Sequence, residues 1–272
     1  MENANIEITV GIVTYNRSQS LKNCLQSVIR QNFLSIEILV SDDNSSDDTF
    51  KIVNEFSSLD TRIRYIKQTG IGMTENFTAV LTMAKGKYFL WLCDDDYISD
   101  NYLSETYDFL ERNKDYSIAC GTTRFFNKTG ISNEKQDLLL EMRSAGTRVI
   151  NYFKHVNSNI LLYGLMRREE ILHLIYPNIF AADLFWSSQV AFIGKCKILP
   201  NAFFYYSKHG ISQNTSELSK YYSNSASLNN PYSAVKDFAL KMILNKMGGF
   251  KNLSSLKAFF LAIKERRRDT TI

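Results

Sequence analysis

Four short strand-like segments, apolar at about residues 6–14, 35–41 and 88–93 and mixed at 62–68 ("RIRYIKQ"), are each separated from the next by a segment of helical period. Leu21, Leu25, Val28 and Ile29 recur at helical spacing and predict a first helix over about residues 20–31. Phe50, Ile52, Val53 and Phe56 mark a second helix, and residues 75–84 a third. Strands alternating with helices in this way predict an α/β fold with a mostly parallel sheet covered on both faces. The rhythm also says where to look for chemistry, because ligands of such sheets gather outside the carboxyl ends of the strands.

Two of those strand ends are acidic. Asp42 and Asp43 follow the second run, and Asp94, Asp95 and Asp96 follow "YFLWLC". Adjacent carboxylates repel, so a positive partner belongs beside the triple. A hard divalent cation such as Mg²⁺ or Mn²⁺ takes oxygen ligands and bridges one or two carboxylates to phosphates. Alternate side chains of an extended segment point to opposite sides, so all three acids need not touch one ion. A carboxylate fixed after the second strand can also accept a hydrogen bond from a nucleobase. The plainer alternative is a solvated turn with Asp96 or Asp100 capping the next helix, and an Asx turn at Asp42 and Asp43 with Asp47 as a helix cap.

The remaining chain is less regular. Residues 101–112 predict a helix, 116–126 a strand, 127–137 a mobile polar loop, 159–168 a strand and 181–193 a helix, with extended structure after it. From residue 217 onward a helical tail is expected, interrupted at Pro231 and at Gly248 and Gly249. Phe250, Leu253, Leu256, Phe259, Phe260 and Ile263 lie among Lys and Arg residues there. That pattern suits an amphipathic helix on an anionic membrane surface, and equally one packed on its own domain.

Composition narrows the class. Of 272 residues 44% are hydrophobic, with 18 Phe and 15 Tyr, enough for a large core and too many for a disordered chain. A formal charge of +4 with no extended basic track argues against nucleic acid. Cys24, Cys93, Cys120 and Cys196 are far apart and lack paired metal-ligand spacing, which suits reduced, mostly buried thiols in a cytosolic protein. The first ten residues lack the basic-then-apolar pattern of a secretory signal, and no stretch is apolar for long enough to span a bilayer.

The ordered set "VTYNR", "SDDNSSDDT", "GIGMTENFTAVLTMAKGKYFLWLCDDD", "AADLFW" and "YYSKHGIS" resembles the family 2 glycosyltransferases of GT-A fold, over roughly residues 8–212. The resemblance implies a Rossmann-like nucleotide-diphospho-sugar transferase unit at residues 1–215, with a nucleotide-binding half at 1–96, an acceptor-binding half at 97–215 and a helical extension at 216–272. It implies inverting transfer from a nucleotide diphosphate sugar, UDP-linked by preference, to a saccharide or lipid-linked saccharide of the kind used in bacterial surface polysaccharide or lipopolysaccharide assembly. The setting would be cytoplasmic, with peripheral membrane contact through the tail.

Carried over by motif, Thr14 and Tyr15 line the nucleotide pocket, Asp43 accepts from the base, Asp42 supports that loop, and Asn76 lies in the donor-binding segment. Asp94 falls near the ribose or the metal shell, Asp95 is the principal ligand of Mn²⁺ or Mg²⁺, and Asp96 is the acid after it. Asp183 is the general base, and His209 contacts diphosphate or metal; as a residue it also reads as an ordinary loop histidine. Three positions depart from the pattern: Cys93 replaces an acid, Glu75 an arginine, and Ala182 a glutamate.

Other readings make different demands. A non-catalytic nucleotide- or sugar-binding domain needs Asp43 but not Asp183. A sugar-1-phosphate nucleotidyltransferase needs a glycine- and lysine-rich loop after the first strand, where "TYNRSQS" stands. A dinucleotide oxidoreductase needs G-x-G-x-x-G there, whereas "GIGMTE" follows the third strand.

Overall fold

The computed structural model describes residues 6–127, 130–133, 138–156, 159–179 and 182–208. In chain order its elements are β1 (Ile8–Thr14), α1 (Ser18–Ile29), β2 (Ile36–Asp42), α2 (Thr49–Leu59), β3 (Ile63–Lys67), α3 (Met73–Met83), β4 (Tyr88–Cys93), β5 (Tyr97–Ile98), α4 (Tyr102–Arg112), β6 (Tyr116–Asn127), β7 (Gly130–Asn133), α5 (Ala145–His155), the 3₁₀ turn η1 (Ile160–Tyr163), β8 (Leu165–Arg167), α6 (Arg168–Ile171), α7 (Ala182–Ile193) and β9 (Lys195–Ser207). The strands form one sheet in the order β3-β2-β1-β4-β8-β6-β9-β5, and β7 pairs with β6.

The predicted parallel sheet is its first half. β3, β2, β1 and β4 run parallel. Every residue of β1 and β2 is buried, as strands covered on both faces require. Their register aligns Thr14 with Asp42, and Val13 with Cys93. Three strands therefore end level on one edge. The second half is mixed: β8 runs antiparallel to β4 and β6, β6 parallel to β9, and β5 antiparallel to β9.

Two of the polar side chains buried inside this half, Thr9 and Glu37, satisfy each other. Thr9 Oγ1 donates to Glu37 Oε1 (2.7 Å), which also accepts from the Lys85 amide (2.6 Å), and the Gly86 amide donates to Thr9 Oγ1 (2.8 Å). The turn before β4 thus lies directly on β1. A Cβ at Gly86 would stand 2.5 Å from the Thr9 amide nitrogen and 2.7 Å from the Ile8 carbonyl carbon. Backbone cannot yield as a side-chain tip does. Gly86→Ala should therefore destabilise the fold by about 1–3 kcal/mol, seen as a lower urea midpoint at unchanged m-value.

Two tryptophans carry the core across the sheet to α7. Trp91 of β4 and Trp186 of α7 are fully buried and meet edge to face, with centroids 4.7 Å apart. At the far end of α7, Arg148 of α5 donates to the carbonyls of Ala191 (2.7 Å) and Phe192 (2.8 Å). Orphan helix carbonyls are satisfied this way by a side chain from another element.

Several expectations are corrected. Residues 159–168 form η1 and then the three-residue β8 rather than one strand. The Tyr163 carbonyl accepts from the Tyr102 hydroxyl (2.8 Å) and the Tyr163 ring stacks on Phe204 (4.6 Å), contacts that hold this apolar run in a turn. Within the supposed loop of residues 127–137, Gly130–Asn133 form β7 in a hairpin with β6. Helix α5 and strand β5 were not anticipated. Asp47 is not the N-cap of α2, which is Asp48, but it holds the first amide of two helices: Oδ1 accepts from the Thr49 amide (3.0 Å) and Oδ2 from the Ser18 amide (2.9 Å). Asp96 and Asp100 do not cap α4. Asp96 binds the Ser207 amide, and Asp100 pairs with Arg30 at the surface. Residues 216–272, including the amphipathic segment, lie outside the described residues. Among the described residues no helix is long and apolar enough to cross a membrane.

Candidate active site

The level ends of β1, β2 and β4 bring the sequence-predicted residues to one edge. Beyond β1, the Asn16 amide donates to Ser45 Oγ (2.8 Å) and Asn16 Oδ1 accepts from the Ser46 amide (2.8 Å). The loops after β1 and β2 are thereby fastened to each other. Asn16 takes φ of 51°, a left-handed conformation that asparagine tolerates better than most residues. The turn leaves Tyr15 45% exposed and sends Arg17 back toward β4.

Arg17 is the positive partner that the acidic triple demanded. One guanidinium nitrogen lies 2.7 Å from Asp95 Oδ2 and 3.3 Å from Asp94 Oδ1. Burial alone would lower the Arg17 pKa, but the charges of Asp94 and Asp95 raise it, so the guanidinium is held firmly charged. Among the described residues, one cation faces three acids. Burial pushes the Asp94 carboxyl up to about 7; Arg17 opposes the rise and Asp95 adds to it. Asp96 is also raised, first by burial and then by Asp95, against a hydrogen bond from the Ser207 amide (2.9 Å). The Thr14 hydroxyl is buried close enough to Asp94 to favour its charged form, yet it completes no hydrogen bond.

Cys93 completes the cluster. A donor atom from each of Cys93, Asp95 and Asp96 lies within 4.8 Å of the others. Burial, then Asp96 and Asp95, raises the thiol pKa. Two carboxylates and a sulfur around a point short of positive charge fit a divalent cation. The oxygens suit Mg²⁺ or Mn²⁺, and the sulfur leans toward the softer of the two.

The acids after β2 are more fully committed. Asp42 is completely buried; Oδ1 accepts from the Ser45 amide (2.8 Å) and Oδ2 from the Tyr65 hydroxyl (2.6 Å). It builds the loop rather than facing solvent. Asp43 accepts from the amides of Ile71 (2.6 Å) and Gly72 (2.9 Å), leaving further lone pairs on both oxygens. Gly72 takes φ of 92°, which glycine reaches without strain and which turns its amide to Asp43. Asn76 is buried beneath. Its Oδ1 accepts from Ser41 Oγ (2.5 Å) and its Nδ2 donates to the Ser41 carbonyl (3.1 Å), stapling α3 to the end of β2.

Asp183 reaches the same region from the other half of the sheet. It stands in the first turn of α7, half-buried, and accepts from Asn159 Nδ2 (3.1 Å). Burial raises its pKa, while Asn159 and the amides at the helix start hold the rise back. Asn159 opens η1, and Tyr163 closes η1 with its hydroxyl 3.4 Å from Cys93 Sγ. This 3₁₀ turn thus carries a contact to the base candidate at one end and a contact to the acidic cluster at the other. His209 lies outside the described residues; Ser207, two positions earlier, is fastened to Asp96.

Residues 9–173 match the family model described as glycosyl transferase family 2. The glycosyltransferase GlyA of Streptococcus pneumoniae serotype 4 is 36% identical over 124 residues, which cover 45% of this chain and 18% of that protein. This chain therefore corresponds to a small part of that relative. S. aureus TarS 1–349 in complex with UDP-GlcNAc superposes with a TM-score of 0.62 at 16% identity, over 96% of this chain and 80% of that one. The mannosyltransferase PcManGT from Pyrobaculum calidifontis, in complex with GDP-Man and Mn²⁺, gives 0.60 at 14% identity, over 96% and 73%. These two likenesses establish the α/β, Rossmann-like GT-A fold. With the family match spanning more than half of the chain, the protein belongs to glycosyl transferase family 2.

Proposed function

We propose that this chain moves a sugar, with inversion, from a nucleotide diphosphate donor to a hydroxyl of a saccharide or lipid-linked saccharide. The observation that carries the reading is the joining of the acidic cluster and Asp183 through the two ends of η1. Residues 1–96 act as the donor half and 97–215 as the acceptor half. Thr14 and Tyr15 line the nucleotide pocket, Asp43 offers its remaining lone pairs to the base, and Asp42 keeps that loop in place. Asn76 acts through Ser41 and the end of β2 rather than by contact. Asp94 faces the ribose side, and His209 contributes to the diphosphate.

Asp95 and Asp96, with Cys93 beside them, would hold Mn²⁺ or Mg²⁺, which when bound offsets charge on the departing nucleotide diphosphate. Arg17, paired with Asp95, lies where it can face the same diphosphate. The acceptor oxygen bonds to the anomeric carbon from the face opposite the leaving group. As the bond to the diphosphate oxygen breaks, Asp183 takes the hydroxyl proton. A partly desolvated carboxylate is a stronger base than a free one, and burial has moved Asp183 in that direction. UDP is the favoured nucleotide by the family resemblance, while one fold neighbour is described with UDP-GlcNAc and another with GDP-Man.

Calorimetric titration with UDP, GDP, CDP and dTDP, with and without Mn²⁺, tests this. UDP should bind at least about tenfold more tightly with Mn²⁺ than without, a difference of about 1.4 kcal/mol. A folded sample that binds none of the four would overturn the donor assignment.

A further inference from the structure

We propose that Asn159 is a positioning residue for Asp183 and that the Tyr152 hydroxyl sets the direction of its amide. The role rests on the reading of Asp183 as the general base. An asparagine amide has an accepting end and a donating end, and among the described residues each end has a partner. Tyr152 donates its hydroxyl to Asn159 Oδ1 (2.9 Å), and Asn159 Nδ2 donates to Asp183 Oδ2 (3.1 Å). A reversed amide would set its carbonyl oxygen against an ionised carboxylate, two acceptors facing each other. Tyr152 is fully buried and packs edge to face on Phe153 (5.2 Å), so the hydroxyl that selects this orientation is itself fixed. The chain from Tyr152 through Asn159 to Asp183 thus holds Oδ2 of the carboxylate in place.

The same donor favours the charged form of Asp183 against burial. Several charged groups on the surrounding elements are engaged elsewhere. On α5, Arg148 binds the far end of α7 and His155 Nδ1 meets the Asn151 carbonyl, while Lys154 is exposed. On β9, Lys195 pairs with Asp115 and Lys197 with Glu141, and on β6 Arg124 lies over Phe203. On η1, Tyr163 is turned to Cys93, and ahead of α7 Glu75 accepts from Asn178. The main local support for the Asp183 charge is thus the Asn159 amide.

The test is carboxylate titration by NMR on the full chain labelled with ¹³C at aspartate Cγ, with Asp183→Asn assigning the signal. It is paired with the pH profile of UDP release from the UDP-sugar that binds most tightly. Asn159→Ala should raise the Asp183 pKa by about one unit, because a donor to the ionised form is lost. The acid limb of UDP release should rise equally, with Mn²⁺-dependent UDP affinity unchanged within about twofold. Tyr152→Phe should shift both in the same direction by less, and it decides the matter if Asn159→Ala fails to fold. An unmoved Asp183 titration in folded variants overturns the Asn159 role and leaves the base reading standing. A titration that moves while the acid limb stays overturns the base reading, and the positioning role with it.

Discussion

Asp183→Asn should lower kcat by about 10²- to 10⁴-fold while leaving Mn²⁺-dependent UDP affinity within about twofold of the parent. The amide keeps the size of the carboxylate but cannot take the acceptor proton. Asp183 sits on the far side of η1 from the acidic cluster, fastened to Asn159 rather than to any group on the donor edge. Binding and turnover should therefore separate in this variant. Burial raises the Asp183 pKa, so the parent should lose rate as pH falls through that raised value, and Asp183→Asn should lack this limb. Steady-state rates with calorimetric affinities check both halves. An Asn variant that keeps most of its rate removes Asp183 from the chemistry and favours a domain that binds donor without transferring it.

Asp95→Asn should weaken Mn²⁺-dependent UDP binding by at least about 10- to 100-fold, the loss seen when even an outer partner of a metal ligand is removed. Asp95 belongs to both halves of the local charge balance. It is the closer partner of Arg17 at 2.7 Å, and it supplies an oxygen to the group formed with Cys93 and Asp96. Its side chain is 17% exposed, so the fold should survive the change. Removing this charge also relieves Asp94 and Asp96, both of which it pushes upward. Calorimetry with and without Mn²⁺ reads the binding, and chemical unfolding reads the fold. Unchanged metal dependence in a folded Asp95→Asn protein would place the cation elsewhere.

The parallel half was legible because three of its four strands, β1, β2 and β4, are short, mostly apolar runs bounded by polar turns, and the periodic segments between them leave little choice of element. The same rule failed at residues 159–168. A short apolar run is compatible with strand or turn, and here distant partners, Tyr102 and Phe204, decide. Helix α5 had a readable signal that went unused: Ser144 accepts from the Thr147 amide, and Val149, Tyr152 and Phe153 form a buried stripe. At the site, three adjacent carboxylates announced the need for a cation, and "YNR" contained it. Nothing local says that Arg17 turns back across the edge to meet β4, because that turn depends on Asn16 being bound by Ser45 and Ser46 of another loop. Asn159 and Tyr163 were invisible for a related reason. Their roles come from which residues η1 spans, a property of three-dimensional spacing.

The two halves of the sheet meet through β8, whose Met166 pairs with Phe89 on one side and Ile118 on the other. In a nascent chain, β4 is complete about 70 residues before that seam appears. At about 5–20 residues per second, the ribosome leaves it unpaired on one side for roughly 4–15 seconds. During that interval "YFLWLC" is an open, uncharged edge, the kind that recruits a second chain. Once β8 arrives, the same strand lies in the middle of the sheet. Crowded synthesis should therefore lose chains through this one transient edge, and slower translation between residues 93 and 165 should lengthen the exposure rather than relieve it.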